Sequence, residues 1–375
     1  MFHTTKEEIN AAVKVLESGQ YILGPEVENL EKEVAQYYNK KYAIGVGNGT
    51  DALYLTLEGM GIGKGDEVIT TPFTFVASSE VIANVGAKPV FVDINYNDFL
   101  INPDLIEKAI TPKTKAILVV HLFGQNCDMP KIMTIAKKHN LKVIEDAAQA
   151  FGNKNIGQGD ALCFSFHPAK CLGCCGDGGM VLVNDEKLYD KIRLLHYHGA
   201  QVKDKYNNLI IGHNSRLDAI QAAILRVRLK NFGKEPVKHL LTFRIANRDF
   251  VYEQMKKAGC DVKIFYKTPM HLQPAFKYLG HGEGLCPVAE QACKEVISIN
   301  TWKRIWKETK KGNGLRDIIK VLVSKINIRL GIKIKKVFIL IPKLNLRKGT
   351  YHGIPVKNWT ILFGIRDWVE DIILI

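Results

Sequence analysis

At 375 residues, 46% of them hydrophobic and 24% charged, the chain has room for more than one globular domain, which excludes a largely disordered or collagen-like polypeptide. No apolar run reaches the roughly 18–20 residues of a membrane span, the opening MFHTTKEEINAAVKVLESG lacks the apolar segment of a secretory signal, and eight cysteines are too few for a disulfide framework, so a reduced cytoplasmic protein is expected. The charge of +14 is local: residues 301–375 hold 17 Lys+Arg against 5 Asp+Glu and all four tryptophans (Trp302, Trp306, Trp359, Trp368), so the basic balance describes this tail and not the body.

In chain order, residues 1–40 carry apolar positions at helical spacing (Ile9, Val13, Leu16, then Val27, Leu30, Val34), split by the Gly-Pro turn YILGPE. From residue 42, short β-rich runs alternate with helical stretches. Strands are predicted at 42–46, 67–71, 89–94, 116–123, 142–147, 162–166 and 180–184, and helices at 51–60, 77–85, 104–110, 130–139 and 186–196. Apolar strands separated by helices are the pattern of a three-layer α/β domain with a mostly parallel sheet. A helix over 216–229 follows, and LLTFRIANRDFVYEQMKKAG reads as strand, turn and helix of a smaller domain. The expected division is 1–230, 231–300 and the tail 301–375.

The richest chemistry lies in EDAAQA (145–150) and SFHPAKCLGCCGDGG (165–179). Asp146 follows an apolar strand, so its carboxylate belongs at the strand's C-terminal edge, where open α/β sheets keep their ligands. Lys170 sits on a Pro- and Gly-rich segment beside such an edge, where burial can free its amine for nucleophilic or Schiff-base chemistry. Together they match what pyridoxal phosphate requires, but a helix-capping aspartate and a surface lysine would read the same. GVGNGT (45–50) leads from a strand into a helix whose free N–H groups could seat a phosphate; a plain strand-to-helix turn is equally compatible. The loop is neither a dinucleotide fingerprint nor a nucleoside-triphosphate loop. Cys171, Cys174 and Cys175 have no second ligand pair at zinc spacing, so no metal is expected.

The run of YILGPEVENLEKEVAQYY, GVGNGTDAL, FTFVASSEVIANVGAKPVFVDI, VVHLFGQ, VIEDAAQA, SFHPAK…GDGG and HNSRLDAIQAAIL resembles the DegT/DnrJ/StrS-type sugar aminotransferases, nearly continuously over residues ~7–230 and again over 238–297. The resemblance implies a pyridoxal-phosphate enzyme of fold type I that moves an amino group from an amino acid, glutamate in most of the family, to a nucleotide-linked keto-sugar. It implies that Lys170 captures the cofactor and shuttles protons, that Asp146 pairs with the ring nitrogen, and that Gln149 approaches the phenolic oxygen. Phe73 would stack on the ring; Gly49, Thr50 and Ser165 would hold the phosphate. Asn214 would reach the cofactor phosphate of a neighbouring subunit, so a homodimer with shared sites is implied. Tyr266 and His271 match a segment on the sugar-nucleotide side. Dehydratases of the family carry histidine in place of the lysine; HPAK keeps Lys170, which favours transamination, and the motif variants look most like the branch acting on 3-keto sugars.

Three departures stand out. The chain is short between AFGNKN and GDALCFSF, lacks about forty residues of the family pattern after Asn231, and carries the basic tail after EVISIN (295–300). An impaired relative that keeps the cofactor pocket is therefore an alternative. A tail that binds membrane or nucleic acid is another; half-buried strands with lysine facing solvent are the plainer reading of its alternating lysines, so no nucleic-acid partner is expected.

Overall fold

A computed structural model describes residues 4–232, 240–257 and 260–299, and the backbone of 350–351 and 354–355. Expectations about the segment after Asn231 and about most of the tail lie outside the described residues. The chain divides into two units, one of 1–92 and 100–235, the other of 93–99 and 236–375.

The first unit opens with helices α1 (Lys6–Ser18) and α2 (Pro25–Tyr37). Thr5 starts α1 with a capping box, its hydroxyl accepting from the Glu8 N–H while the Glu8 carboxylate accepts from the Thr5 N–H. The sheet and its helices follow in alternation: β1 (Tyr42–Val46), α3 (Gly49–Gly59), β2 (Glu67–Thr70), α4 (Ala77–Asn84), β3 (Lys88–Phe91), the short α5 (Pro103–Ile106), β4 (Thr114–Val120), α6 (Met129–Lys138), β5 (Lys142–Asp146), β6 (Ala161–Ser165), β7 (Gly179–Val183) and α7 (Glu186–Leu195). The seven strands lie in the order β1-β7-β6-β5-β4-β2-β3. Only β7 runs against its neighbours, so the sheet is mostly parallel as the alternating pattern predicts.

The interior strand β4 shows why: Ala116 to Val119 have no exposed surface, and only a strand covered by helices on both faces can be that apolar throughout. After β2 the chain adds β3 on one side, then returns to place β4 on the other side of β2. The crevice between the C-terminal ends of β2 and β4 is therefore a topological switch point, where doubly wound sheets bind ligands.

A hairpin of β8 (Ala200–Gln201) and β9 (Asp204–Asn208) precedes α8 (Ala219–Lys230), which packs on α1 and α2. Arg226 bridges α8 to α2 through Glu26 and Glu33, and Arg228 bridges α8 to α1 through Glu8 at 2.9 Å. Beneath α2, Tyr37, Tyr38, Phe151, Phe164 and Phe232 form an aromatic cluster with centroids 4.9–6.4 Å apart.

The second unit has an antiparallel sheet β10-β12-β11 built from β10 (Leu241–Arg244), β11 (Val262–Lys263) and β12 (Val296–Ile299), with helices α9 (Arg248–Lys257) and α10 (Pro287–Glu295). Asp93 caps α10, its carboxylate accepting from the N–H groups of Val288 and Ala289 at 2.9 Å. Arg244 is buried over the Tyr96 ring, 4.1 Å from its centroid, and pairs with Glu295 at 2.8 Å. The backbone of Thr350–Tyr351 pairs with that of Ile354–Pro355.

Candidate active site

The strand register brings the expected residues of the first unit to one sheet edge. Asp146 ends β5, opposite Val120 at the end of β4 and Cys163 in β6. Two residues past Cys163, Ser165 ends β6 opposite Gly179, which in turn faces Val46 at the end of β1. Because β1, β2, β4, β5 and β6 all point the same way, the segments that leave them, 47–50, 71–76, 121–125, 147–150 and 166–170, gather at that edge.

Asp146 is 6% exposed, and a buried carboxylate needs donors. It has them: Ser78 Oγ donates to Oδ2 at 2.8 Å and the Ala148 N–H to Oδ1 at 3.1 Å. Ser78 lies in the first turn of α4, so this bond ties the loop after β2 to the end of β5. Its hydroxyl is given to Asp146, which leaves Thr74 Oγ1 as the donor in its 3.1 Å contact with Ser78. Lys170 is half-buried on the loop after β6. Burial pulls its amine below the ordinary lysine range, opposed by the negative charge of Asp146. The thiols nearby are poor nucleophiles: burial pushes Cys163 and Cys171 up to about 12, which leaves the amine as the reactive group.

The loop that leads from β1 into α3 is compressed. Asn48 caps α3 through the Asp51 N–H at 2.8 Å, and Gly49 and Thr50 begin the helix, their N–H groups at its positive end. A Cβ on Gly49 would lie 2.5 Å from the Ser165 Cβ, so only glycine lets the helix start press against that strand end. The Ser165 hydroxyl accepts from the His167 N–H at 3.4 Å, which leaves its proton for an anion in front of the helix. On the other side, Ser215 Oγ accepts from the Gly47 N–H at 3.0 Å and donates to the Asp51 carboxylate at 2.6 Å. Along 213–218, buried Ser215 and Leu217 alternate with exposed Asn214 and Asp218. Asn214 thus faces outward from the segment that braces the loop.

Gln149 is held by its amide oxygen, which accepts from the Phe123 N–H at 2.8 Å. The two phenylalanines after β2 differ. Phe73 is 0% exposed, its ring edge-to-face to Phe123 at 6.5 Å, and a ring with no open face offers nothing to stack against. Phe75 is 56% exposed, three residues before the Ser78 that binds Asp146. The turn separates the two: Phe73, the residue expected to stack, is buried, and Phe75 is the exposed aromatic. Pattern reading also passes over Ser78, Ser215 and the buried His121–Glu145 pair, because each acts through a partner distant in sequence.

Tyr266 and His271 belong to the other unit. Tyr266 is half-buried; His271 is buried, its Nε2 2.9 Å from Glu290, whose carboxylate also accepts from the Gly284 and Cys286 N–H groups. Among the described residues, no three His, Cys, Asp or Glu side chains gather as a metal site, and no helix is long and apolar enough to cross a membrane.

The DegT/DnrJ/EryC1/StrS aminotransferase family matches residues 3–238 and 233–312. The chain belongs to this family. The aminotransferase is 42% identical over 333 residues to a pleiotropic regulatory protein of Geobacillus stearothermophilus, covering 79% of this chain and 89% of that one. It is 40% identical over 330 residues to the UDP-2-acetamido-2-deoxy-3-oxo-D-glucuronate aminotransferase of Pseudomonas aeruginosa, covering 78% and 90%. Among solved structures it resembles NtdA of Bacillus subtilis with bound cofactor PMP, with a TM-score of 0.76, 31% identity and coverage of 86% and 83%.

Pyridoxal 5′-phosphate is the cofactor of this aminotransferase. The site fits it. A carboxylate fixed by two donors, an amine depressed by burial, a cradle that a single Cβ would fill and an open aromatic ring all meet at one sheet edge.

Proposed function

We propose that the enzyme transaminates a nucleotide-linked 3-keto-sugar, with glutamate as the amino donor. The observation that carries the catalytic part is a half-buried amine, Lys170, set against the fixed carboxylate of Asp146. The choice of C3 rests on relatives: besides the 3-oxo-glucuronate enzyme, a 38% identical protein of Streptomyces venezuelae is a dTDP-3-amino-3,4,6-trideoxy-alpha-D-glucose transaminase.

When bound, pyridoxal phosphate supplies an electron-accepting ring that carries the amino group from donor to acceptor. The protein orients it. The α3 N-terminus at Gly49 and Thr50, with the Ser165 hydroxyl, binds the phosphate, where free N–H groups and the helix dipole favour an anion. Asp146, fixed in place by Ser78 and Ala148, would pair with the ring nitrogen and hold a proton there. Gln149 turns its amide nitrogen to the phenolic oxygen, since its amide oxygen is taken by Phe123. Phe75 covers one ring face. Lys170 Nζ, its proton affinity lowered by burial, would be the amine that holds the cofactor and, when free, the base that carries a proton between carbons.

Tyr266 and His271 serve the sugar-nucleotide side. Asn214 serves the phosphate site of a second copy in a homodimer. Its exposure supports this, as do Tyr206 of the adjoining hairpin and Ile211 just past it, which are 85% and 89% exposed.

The test has two stages. Glutamate added to the holoenzyme should convert the cofactor to its aminated form and release 2-oxoglutarate. A nucleotide-linked 3-keto-hexose should then restore the starting spectrum and yield a 3-amino sugar. Turnover of the 4-keto isomer alone would overturn the C3 assignment, and no response to any amino acid would overturn transamination by this chain.

A further inference from the structure

Behind the cofactor residues lies a buried pair. His121, the first residue past β4, and Glu145, next to Asp146 on β5, are both 0% exposed, with His121 Nε2 2.8 Å from Glu145 Oε2. The Cys127 N–H donates to His121 Nδ1 at 3.3 Å, which places the ring proton on Nε2 and makes histidine the donor to glutamate. Burial pushes the Glu145 carboxyl up, but His121 and the N–H groups of Gly159 and Gly157 more than offset it and hold it below the usual range. The carboxylate is thus a fixed anchor, and the imidazole joins it to a loop.

That loop is 121–127. The His121 N–H donates to the Asp146 carbonyl at 3.0 Å, and the Gly124 and Gln125 N–H groups fold back on His121 and Leu122. Within the loop Phe123 adopts φ 54°, ψ 22°, a left-handed conformation that a bulky residue keeps only when its surroundings impose it. In this conformation its N–H meets the Gln149 amide oxygen.

We propose that His121, anchored by Glu145, is a positioning residue for Gln149: it closes the 121–127 loop so that the Phe123 N–H fixes the amide and aims its nitrogen at the cofactor's phenolic oxygen. The inference rests on the placement of Gln149 given above. An amide donor on that oxygen stabilises its negative charge and loosens the proton shared with the neighbouring nitrogen, so the bound cofactor's visible band changes at lower pH. A Gln149 that swings away removes the donor, and the midpoint rises. Loss of one hydrogen bond to a charged oxygen corresponds to roughly one to two pH units. The charged and titratable groups around this path are Lys40 and Asp160 beyond Glu145, Asp146 and Cys163 on the strands, and Lys170 and Cys171 on the following loop. None of these groups is itself altered in His121→Asn, so the shift is read against Gln149→Ala to report the loop.

The experiment is a pH titration of the absorption band of the holoenzyme and of His121→Asn, Gln149→Ala and the double variant. Glu145→Gln serves as a second way to cut the anchor should His121→Asn fail to fold. The expected result is a rise of the midpoint in each single variant and no further rise in the double, the non-additivity of groups acting in series. A shift for Gln149→Ala with none for His121→Asn or Glu145→Gln would overturn the inference and leave the Gln149 assignment standing. Additive shifts would overturn it as well. No shift in Gln149→Ala would remove the assignment itself, and the inference with it.

Discussion

Gly49→Ala puts the geometry of the phosphate seat to a direct test. The added methyl would lie 2.5 Å from Ser165 Cβ and 3.1 Å from its Cα, and neither can yield. Ser165 is held in β6 by its pairing with Gly179, which approaches the same turn so closely that a Cβ on it would lie 2.3 Å from the Asn48 carbonyl oxygen. In an open helix Ala would stabilise relative to Gly by about 1 kcal/mol. Overpacking against fixed backbone costs about 1–3 kcal/mol. The net expectation is an apoprotein destabilised by up to about 2 kcal/mol in urea unfolding, a sign opposite to helix propensity. Moving the helix start should also displace the N–H groups that face the phosphate, so the cofactor Kd should rise about tenfold, equivalent to about 1.4 kcal/mol. Gly282→Ala is the control: nothing lies within 4 Å of its Cβ position, and its stability should stay within about 0.5 kcal/mol of the parent. A Gly49→Ala protein as stable as the parent, with unchanged cofactor affinity, would refute the close approach and the phosphate seat drawn from it.

Phe75→Ala should leave unfolding nearly unchanged and weaken cofactor binding by roughly 3- to 10-fold, the worth of one aromatic contact, whereas Phe73→Ala should cost about 3–5 kcal/mol of folding stability; the reverse pattern in paired unfolding and binding titrations would return the stacking role to Phe73. Glu31 and His196 should tilt the pH dependence of stability in opposite directions. Burial raises the Glu31 carboxyl to about 7, so the folded state holds a proton that the unfolded chain has lost, and stability falls as pH rises from about 4.5 to 7. Burial, helped by Arg193, lowers His196 to about 4, so the unfolded chain binds the extra proton and stability rises from pH 4 to about 6.5. Each contributes about 3 kcal/mol across its window. Apo-enzyme unfolding at pH 4.5 and 6.5 should therefore show Glu31→Gln gaining stability with pH and His196→Gln losing it, and parallel changes in both variants would contradict these assignments.

Much of this was legible in the chain because parallel strands leave a strong mark. KVIED and AILVV read as buried strands and are β5 and the core of β4. Their ends were less legible. The apolar run predicts a strand through Phe123, but β4 stops at Val120, since the Phe123 N–H is taken by Gln149, an amide 26 residues away. The helix expected over 216–229 begins at Ala219, because the preceding residues are held by other partners, Ser215 bonded to Gly47 and Asp218 bridged to Ile22. Helical periodicity in RLDAIQAAIL cannot see either bond. The residues gathered at the sheet edge differ in visibility for a related reason. Asp146 and Lys170 announce themselves as charges beside apolar strands, while Ser78, whose hydroxyl fixes Asp146 from 68 residues away, is an ordinary serine in an ordinary helix.

The account stands on the bond between Lys170 and the cofactor. Borohydride reduction of the holoenzyme, followed by proteolysis and mass spectrometry, measures it directly. The expected result is a single peptide carrying the cofactor's mass on Lys170, absent from Lys170→Ala protein treated in the same way. Cofactor fixed to another lysine, such as Lys154 or Lys40, or none fixed at all, would contradict it.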